Sequence, residues 1–99
     1  MNNDTEFLEV ANAKLEELEA WTDEHLPDAD VTRMGNVLTV RLDNGNEIVL
    51  NLQTPWQEIW LASRLGGFHF RRRDGVWHDT RTDATLEEKF HEAVDALND

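Results

Sequence analysis

The stretch VLTVRLDNGNEIVLNLQ, residues 37–53, decides the fold. Its apolar side chains alternate, so that Leu38, Val40 and Leu42 share one face of an extended chain while Thr39 and Arg41 share the other. Asn44-Gly45 is a type I′ hairpin signal, and beyond it the alternation resumes. In the return strand Ile48, Leu50 and Leu52 point inward, and Val49, Asn51 and Gln53 outward. A hairpin with one apolar face needs a layer to cover it, and the flanking sequence provides one.

Working outward, residues 31–34 form a short extended piece joined to the hairpin by a turn at Gly35-Asn36. Thr54-Pro55 interrupts the ladder, and residues 57–63 read as a third long strand. Ile59 and Leu61 face its core side, which leaves Glu58, Trp60 and Ala62 on the opposite face. Gly66-Gly67 turns the chain into residues 68–73, and Asp74-Gly75 is a second hairpin signal before residues 76–79. At the start of the chain one helix is expected, capped by Asn3 or Asp4 and closed by Pro27 with Asp28 and Asp30 after roughly 20 residues. It carries Phe7, Ala11, Leu18 and Trp21 on one side, and Glu9, Glu16, Glu19 and Asp23 along another. A capping box at Thr85-x-x-Glu88 opens a closing helix with Leu86, Phe90, Ala93 or Val94, and Leu97 as its apolar stripe. The order helix, antiparallel strands, helix predicts an α+β fold: a two-layer sandwich with the N- and C-terminal helices on one face of an antiparallel β-sheet. The other face, with Thr39, Arg41, Val49, Asn51, Gln53 and Trp60, is left to solvent or a partner. One domain over residues 1–99 is expected, with no repeat or linker.

Charge is distributed unevenly. The formal net charge is −12, made up of −9 over residues 1–30, +2 over residues 31–82 and −5 over residues 83–99. This argues against nucleic acid and for a cationic partner, either a metal ion or a basic protein surface; solubility is the plainer explanation. The chain has no cysteine, which removes disulfides, thiolate metal sites and cysteine nucleophiles. No apolar run is long enough for a signal or transmembrane segment, so the expected setting is cytoplasmic, with no membrane contact. There is no Ser/His/Asp pattern, no phosphate-cradling Gly loop and no helical Glu-x-x-His motif, so an enzyme is not expected.

The segments Asn51-Leu52-Gln53-Thr54-Pro55, Ile59-Trp60-Leu61-Ala62-Ser63, Gly66-Gly67-Phe68-His69-Phe70 and Gly75-Val76-Trp77 resemble the central signature of the frataxin family in its bacterial, CyaY-type form. The acidic first helix, the Asn-Gly hairpin and the closing helix extend the resemblance over essentially the whole chain. It implies a small iron-binding protein of iron–sulfur cluster assembly that docks on the cysteine desulfurase complex and acts as iron donor or regulator. The metal-binding carboxylates it implies are Glu16, Glu17, Glu19, Asp23 and Glu24 on the helix, with Asp28 and Asp30 beyond. It further implies weakly bound iron (Fe²⁺ or Fe³⁺), open to competition from other divalent cations. Asn51, Gln53 and Trp60 match the family's surface for partner proteins, the desulfurase and the iron–sulfur scaffold protein. Arg33 departs from the pattern, because an acidic residue is expected there. The expected state is a monomer, with iron-driven oligomers left open.

The chemistry of the ridge is compatible with that implication. Glu16, Glu19 and Asp23, at i, i+3 and i+7, stand one above another, and their hard oxygens suit Fe²⁺, Fe³⁺, Mn²⁺, Ca²⁺ and Mg²⁺. A convex helix cannot surround an ion, so water must complete the shell and binding must be weak. The same residues also read as ordinary solvated helix positions. His25, beside Glu24, is either a nitrogen ligand or a solvated or packed residue, while His69 and His78 lack zinc-site spacing and His91 is expected to be exposed. Trp60 is either an interface anchor or packing for its strand neighbours. Trp21 and Trp77 are expected in the core, and Trp56 has no assignment. Arg71, Arg72 and Arg73, with Arg64 and Arg81, form a basic rim expected to pair with the acidic helices within the fold, the alternative being an acidic partner. The competing reading of the whole chain is an acidic interaction module that modulates a basic partner without physiological metal.

Overall fold

The computed structural model describes residues 4–98. Two helices and six strands alternate in the order α1 (Asp4–His25), β1 (Asp30–Met34), β2 (Val37–Arg41), β3 (Glu47–Gln53), β4 (Glu58–Ser63), β5 (Gly66–Arg73), β6 (Val76–Asp79), α2 (Leu86–Leu97), with a 3₁₀ turn at Thr54–Trp56. The strands form one antiparallel meander in sequence order. The expected two-layer sandwich is therefore the observed fold. Both helices lie on the sheet face that carries Leu38, Val40, Ile48, Leu50, Ile59 and Leu61, all of them buried.

Alternation fixes the register. Leu38 pairs with Leu50 and Leu50 with Leu61, so a row of apolar side chains crosses the inner face, as period two requires. Thr39, Val49, Asn51, Gln53 and Trp60 are half-buried on the outer face, and Arg41 is exposed there. On α1 the buried positions are Phe7, Ala11, Leu15, Leu18 and Thr22, recurring every three or four residues. Leu15 completes a stripe from which the sequence reading omitted it. Thr22 is tolerated in the core because its hydroxyl donates to the Leu18 carbonyl at 2.8 Å. On α2, Ala93 and Val94 are both buried, along with Leu86, Phe90 and Leu97, so the choice between them does not arise. The two helices meet where Trp21 lies edge-on to Phe90, with centroids 5.9 Å apart.

The capping box is present as read. The Thr85 side chain accepts from the Glu88 backbone N–H at 3.1 Å, and the Glu88 carboxylate accepts from the Thr85 N–H at 2.9 Å. Those two bonds hold the Glu88 carboxyl below its ordinary value. Of the two candidate caps of α1, Asn3 lies outside the described residues, and Asp4 is the first described residue of the helix.

Several local expectations are corrected. At Asp74-Gly75 both residues have positive φ, as a type I′ turn demands. At Asn44-Gly45 only the glycine does, and the Gly45 N–H donates to the Leu42 carbonyl at 2.9 Å. This is a three-residue loop, a type I turn closed by a left-handed glycine. The reason is tertiary: the Asn44 and Asn46 side-chain amides donate to the terminal Leu97 carbonyl of α2, at 2.6 and 3.1 Å. Gln57 is not the first residue of β4 but the left-handed cap of the 3₁₀ turn, with φ 56°. Its amide donates to Thr54 O and to Asp4 Oδ1, both at 3.0 Å, and so ties the β3–β4 connection to the start of α1.

Candidate functional site

Two surfaces carry the residues singled out by sequence, and they lie on opposite layers. The first is the solvent side of α1. Glu16, Glu19 and Asp23 follow one another up the helix in line with Glu9 and Asn12, while Glu17 and Glu24, seven residues apart, form a separate row turned toward α2. Glu17 accepts an ion pair from Lys14 at 2.5 Å, and the Lys14 ammonium also reaches Glu87 of α2. Burial alone would lower the Lys14 pKa, but the hydrogen bonds and charges of Glu17 and Glu87 outweigh it and raise it. Glu17 thus has a structural partner that the other ridge carboxylates lack. The side chains of Glu16, Glu19, Asp23, Glu24, Asp28 and Asp30 make no hydrogen bond or ion pair with another described residue.

The ridge bends at the end of the helix. Pro27, Asp28 and Ala29 turn the chain into β1, an edge strand, and Asp30 stands opposite Arg41 in the ladder. Asp28 lines an open cleft of about 260 Å³ with His25, Asp43 and Asn44. Among the described residues no three Asp, Glu or His side chains are placed to hold one metal ion together. The carboxylates form a row, not a cup, so any cation held there keeps much of its water. Arg33, where an acid was expected, donates from its guanidinium to the Asn12 side chain and from Nε to the Gly35 carbonyl at 3.1 Å. It places a cation beside the ridge and ends the acidic row at the β1 side.

The histidines have packing roles. His25 is exposed but stacks on Trp21 with centroids 4.7 Å apart, and His91 meets the same indole edge-on at 4.6 Å. His91 is therefore half-buried and not exposed, and Trp21 is half-buried beside the core instead of inside it. Trp77 is buried as expected, edge-on to Phe7 at 6.0 Å, and Trp56 is 58% exposed.

The second surface is the outer face of the sheet. Cross-strand pairing sets Val37, Asn51, Trp60 and His69 side by side. Gln53 Nε2 donates to Asn51 Oδ1 at 2.6 Å, which locks the two amides to each other. The Trp60 indole lies flat on the His69 ring, 4.1 Å away with 7° between planes. Glu58, in the next row, is only 5% exposed although it points to the solvent side. It accepts from Trp60 Nε1 at 2.8 Å and from Arg71 at 2.7 Å, and His69 Nδ1 lies 3.8 Å away.

This cluster also answers the question of the basic rim. Arg71 pairs with Glu58 of β4, and Arg73 with Asp83 in the loop before α2 at 3.3 Å. Arg64 donates to Asn46 at 3.3 Å. Among the described residues the expected pairing with the acidic helices is not made: β5 aims Arg71 and Arg73 away from the helical layer, and Arg72 lines a cleft with Glu6 and Val10 of α1 without forming an ion pair. The roles of Glu58 and His69 were missed in the sequence. Gly66 and Gly67, expected as the turn, instead open β5 opposite Ser63 and Ala62, and the chain reverses at Arg64-Leu65; alternation on either side of that reversal was the signal that placed His69 beside Trp60.

The model of the frataxin-like domain matches residues 1–98. The chain belongs to the frataxin family. Among bacterial members, the "iron-sulfur cluster assembly protein CyaY" of Ralstonia nicotianae is 48% identical over 87 residues, covering 84% of this chain and 77% of that protein. The protein of the same name from Vibrio cholerae is 44% identical over 84 residues, covering 85% of this chain and 81% of its own length. Of solved structures, the frataxin of Psychromonas ingrahamii superposes with a TM-score of 0.87 at 29% identity, over 95% of this chain and 89% of its own. A trimeric frataxin from the yeast Saccharomyces cerevisiae, described as complexed with ferrous, gives a TM-score of 0.69 at 27% identity, covering 99% and 87% of the two chains. The frataxin architecture is thus shared by the whole sandwich described above.

Proposed function

We propose that this protein serves iron–sulfur cluster assembly in the cytoplasm as a non-enzymatic, iron-binding member of the frataxin family. The observation that carries the proposal is the segregation of charge within a frataxin fold. Helix α1 has eight acidic side chains against one lysine, and the carboxylates of Glu16, Glu19, Asp23, Glu24, Asp28 and Asp30 have no partner among the described residues. Unpaired carboxylates on a convex surface attract cations without enclosing them, which supports weak binding of Fe²⁺ or Fe³⁺ with competition from other divalent ions. Glu17 joins the set only by releasing Lys14. The same field steers a basic surface toward the helix, and we assign that surface to the cysteine desulfurase. Asn51, Gln53 and Trp60, on the far layer, are free to meet the iron–sulfur scaffold protein at the same time. In this arrangement the protein acts as iron donor or as regulator of sulfur delivery.

Adding Fe²⁺ under anaerobic conditions while following amide signals tests the metal reading. Perturbation confined to residues 16–30 is expected, and uniform broadening over the chain would refute it. A second reading, an interaction module that binds a basic partner with no physiological metal, is favoured by the lack of three convergent ligands among the described residues. Neutralising Glu16, Glu19 and Asp23 separates the two. Loss of desulfurase binding with iron binding unchanged selects the second.

A further inference from the structure

The carboxylate of Glu58 is buried on the solvent side of a sheet, where a lysine-rich or polar surface would cost nothing to solvate. Burying a carboxylate is unfavourable unless its oxygens are satisfied, and a solvent-facing strand position has no need of one. Here Oε1 accepts from the Trp60 indole N–H and Oε2 from Arg71. The burial therefore has a specific result. The one polar atom of the indole is fixed, one ring face is covered by His69, and the Arg71 charge is offset at its source.

We propose that Glu58 is a positioning residue for Trp60: it holds the indole flat against His69 and cancels Arg71, so that this end of the docking surface presents one uncharged aromatic face, which takes an apolar side chain of the partner. The inference rests on the reading of Asn51, Gln53 and Trp60 as a partner surface. Around the ring, an open cleft of about 430 Å³ is lined by Trp56, Glu58, Trp60, His69, Arg71 and Thr80. Trp56 supplies further exposed aromatic surface on that rim. Trp60 does not have to be ordered by the partner, because Glu58 has already fixed it, and a fixed ring loses less entropy on binding. An acidic partner segment is disfavoured, because Arg71 and Arg73 are each matched by a carboxylate, Glu58 and Asp83.

A double-mutant cycle with the cognate scaffold protein tests this. Glu58→Ala is expected to weaken binding about tenfold in the native background and hardly at all in a Trp60→Ala background, as for a residue acting through a hot-spot tryptophan. Glu58→Gln, which keeps an acceptor for the indole N–H, should retain most of the affinity. In spectra of the free protein the Trp60 indole N–H signal should move and exchange faster in Glu58→Ala, with other indole signals unchanged. The affinity lost should be the same at low and high salt. An equal loss from Glu58→Ala in both backgrounds, or an unmoved indole signal, overturns the positioning role. A larger and salt-screened loss from Arg71→Ala than from Glu58→Ala means an acidic partner and overturns the apolar assignment. If Trp60→Ala itself leaves scaffold binding intact, the docking reading fails and takes the partner assignment with it, even where the indole signal has moved as expected.

Discussion

The ridge of α1 and the outer face of the sheet both carry carboxylates, yet treat them in opposite ways. On the ridge, the carboxylates of Glu16 and Asp23, both exposed, and of half-buried Glu19 have no partner among the described residues. On the sheet, Glu58 is buried and both of its oxygens are taken. Unpaired charge acts at a distance, is screened by salt and selects its partner only by sign. Paired charge acts by contact, fixing the shape of a neighbouring ring. The two layers are thus suited to two different kinds of recognition, one electrostatic and one steric.

That contrast can be broken most forcefully at the helix itself. Leu15 is fully buried beside exposed Glu16, so Leu15→Ala should cost about 2–5 kcal/mol in denaturant unfolding at any ionic strength. A markedly smaller loss would mean that α1 is not anchored by its apolar stripe. Next in size, Trp60→Ala should weaken scaffold binding by about 2 kcal/mol without salt dependence. Neutralising Glu16, Glu19 and Asp23 should weaken desulfurase binding mainly at low salt, so crossed salt responses would erase the distinction between the layers.

A partnered carboxylate can be compared with the ridge through stability. Thr85→Ala should cost about 1 kcal/mol by removing the cap of α2. Because the folded-state pKa of Glu88 is lowered, its contribution is present above its unfolded value and fades as pH falls through the lower folded one. The gap between native and Glu88→Gln should therefore close on acidification, as read by melting temperature. The smallest effect belongs to the ridge: Glu19→Gln should raise stability by roughly 0.2–0.5 kcal/mol for each like-charge pair relieved. Added salt or divalent cations should remove that gain, and a melting temperature indifferent to both would show that the ridge carries little repulsion.

Much of this was legible in sequence because alternation and helical spacing are local. Residues 37–53 announced a hairpin with one apolar face, and Thr85 with Glu88 announced the start of α2. The acidic row of α1 needed nothing beyond its spacing. The turn at Asn44-Gly45 was misread, since an Asn-Gly pair signals type I′ until a helix end claims the asparagine amides. Arg71 and Arg73 were assigned to the helices, since sequence shows charge but not the layer toward which a strand aims it. Trp21 was placed in the core on its apolar spacing, although the helix-helix seam where it lies leaves one side to His25 and His91.

The amino-acid sequence by itself determined the element order, the two apolar faces, the charge of the first helix and the family signature, because each depends on residues within a few positions of one another. Only the tertiary structure decided which carboxylates are left unpaired and which are taken. Lys14 reaches Glu87 on the other helix, and Trp60, His69, Arg71 and Glu58 converge from two strands. Those partnerships depend on register and layer packing, where a few ångströms separate a free carboxylate from a buried clamp.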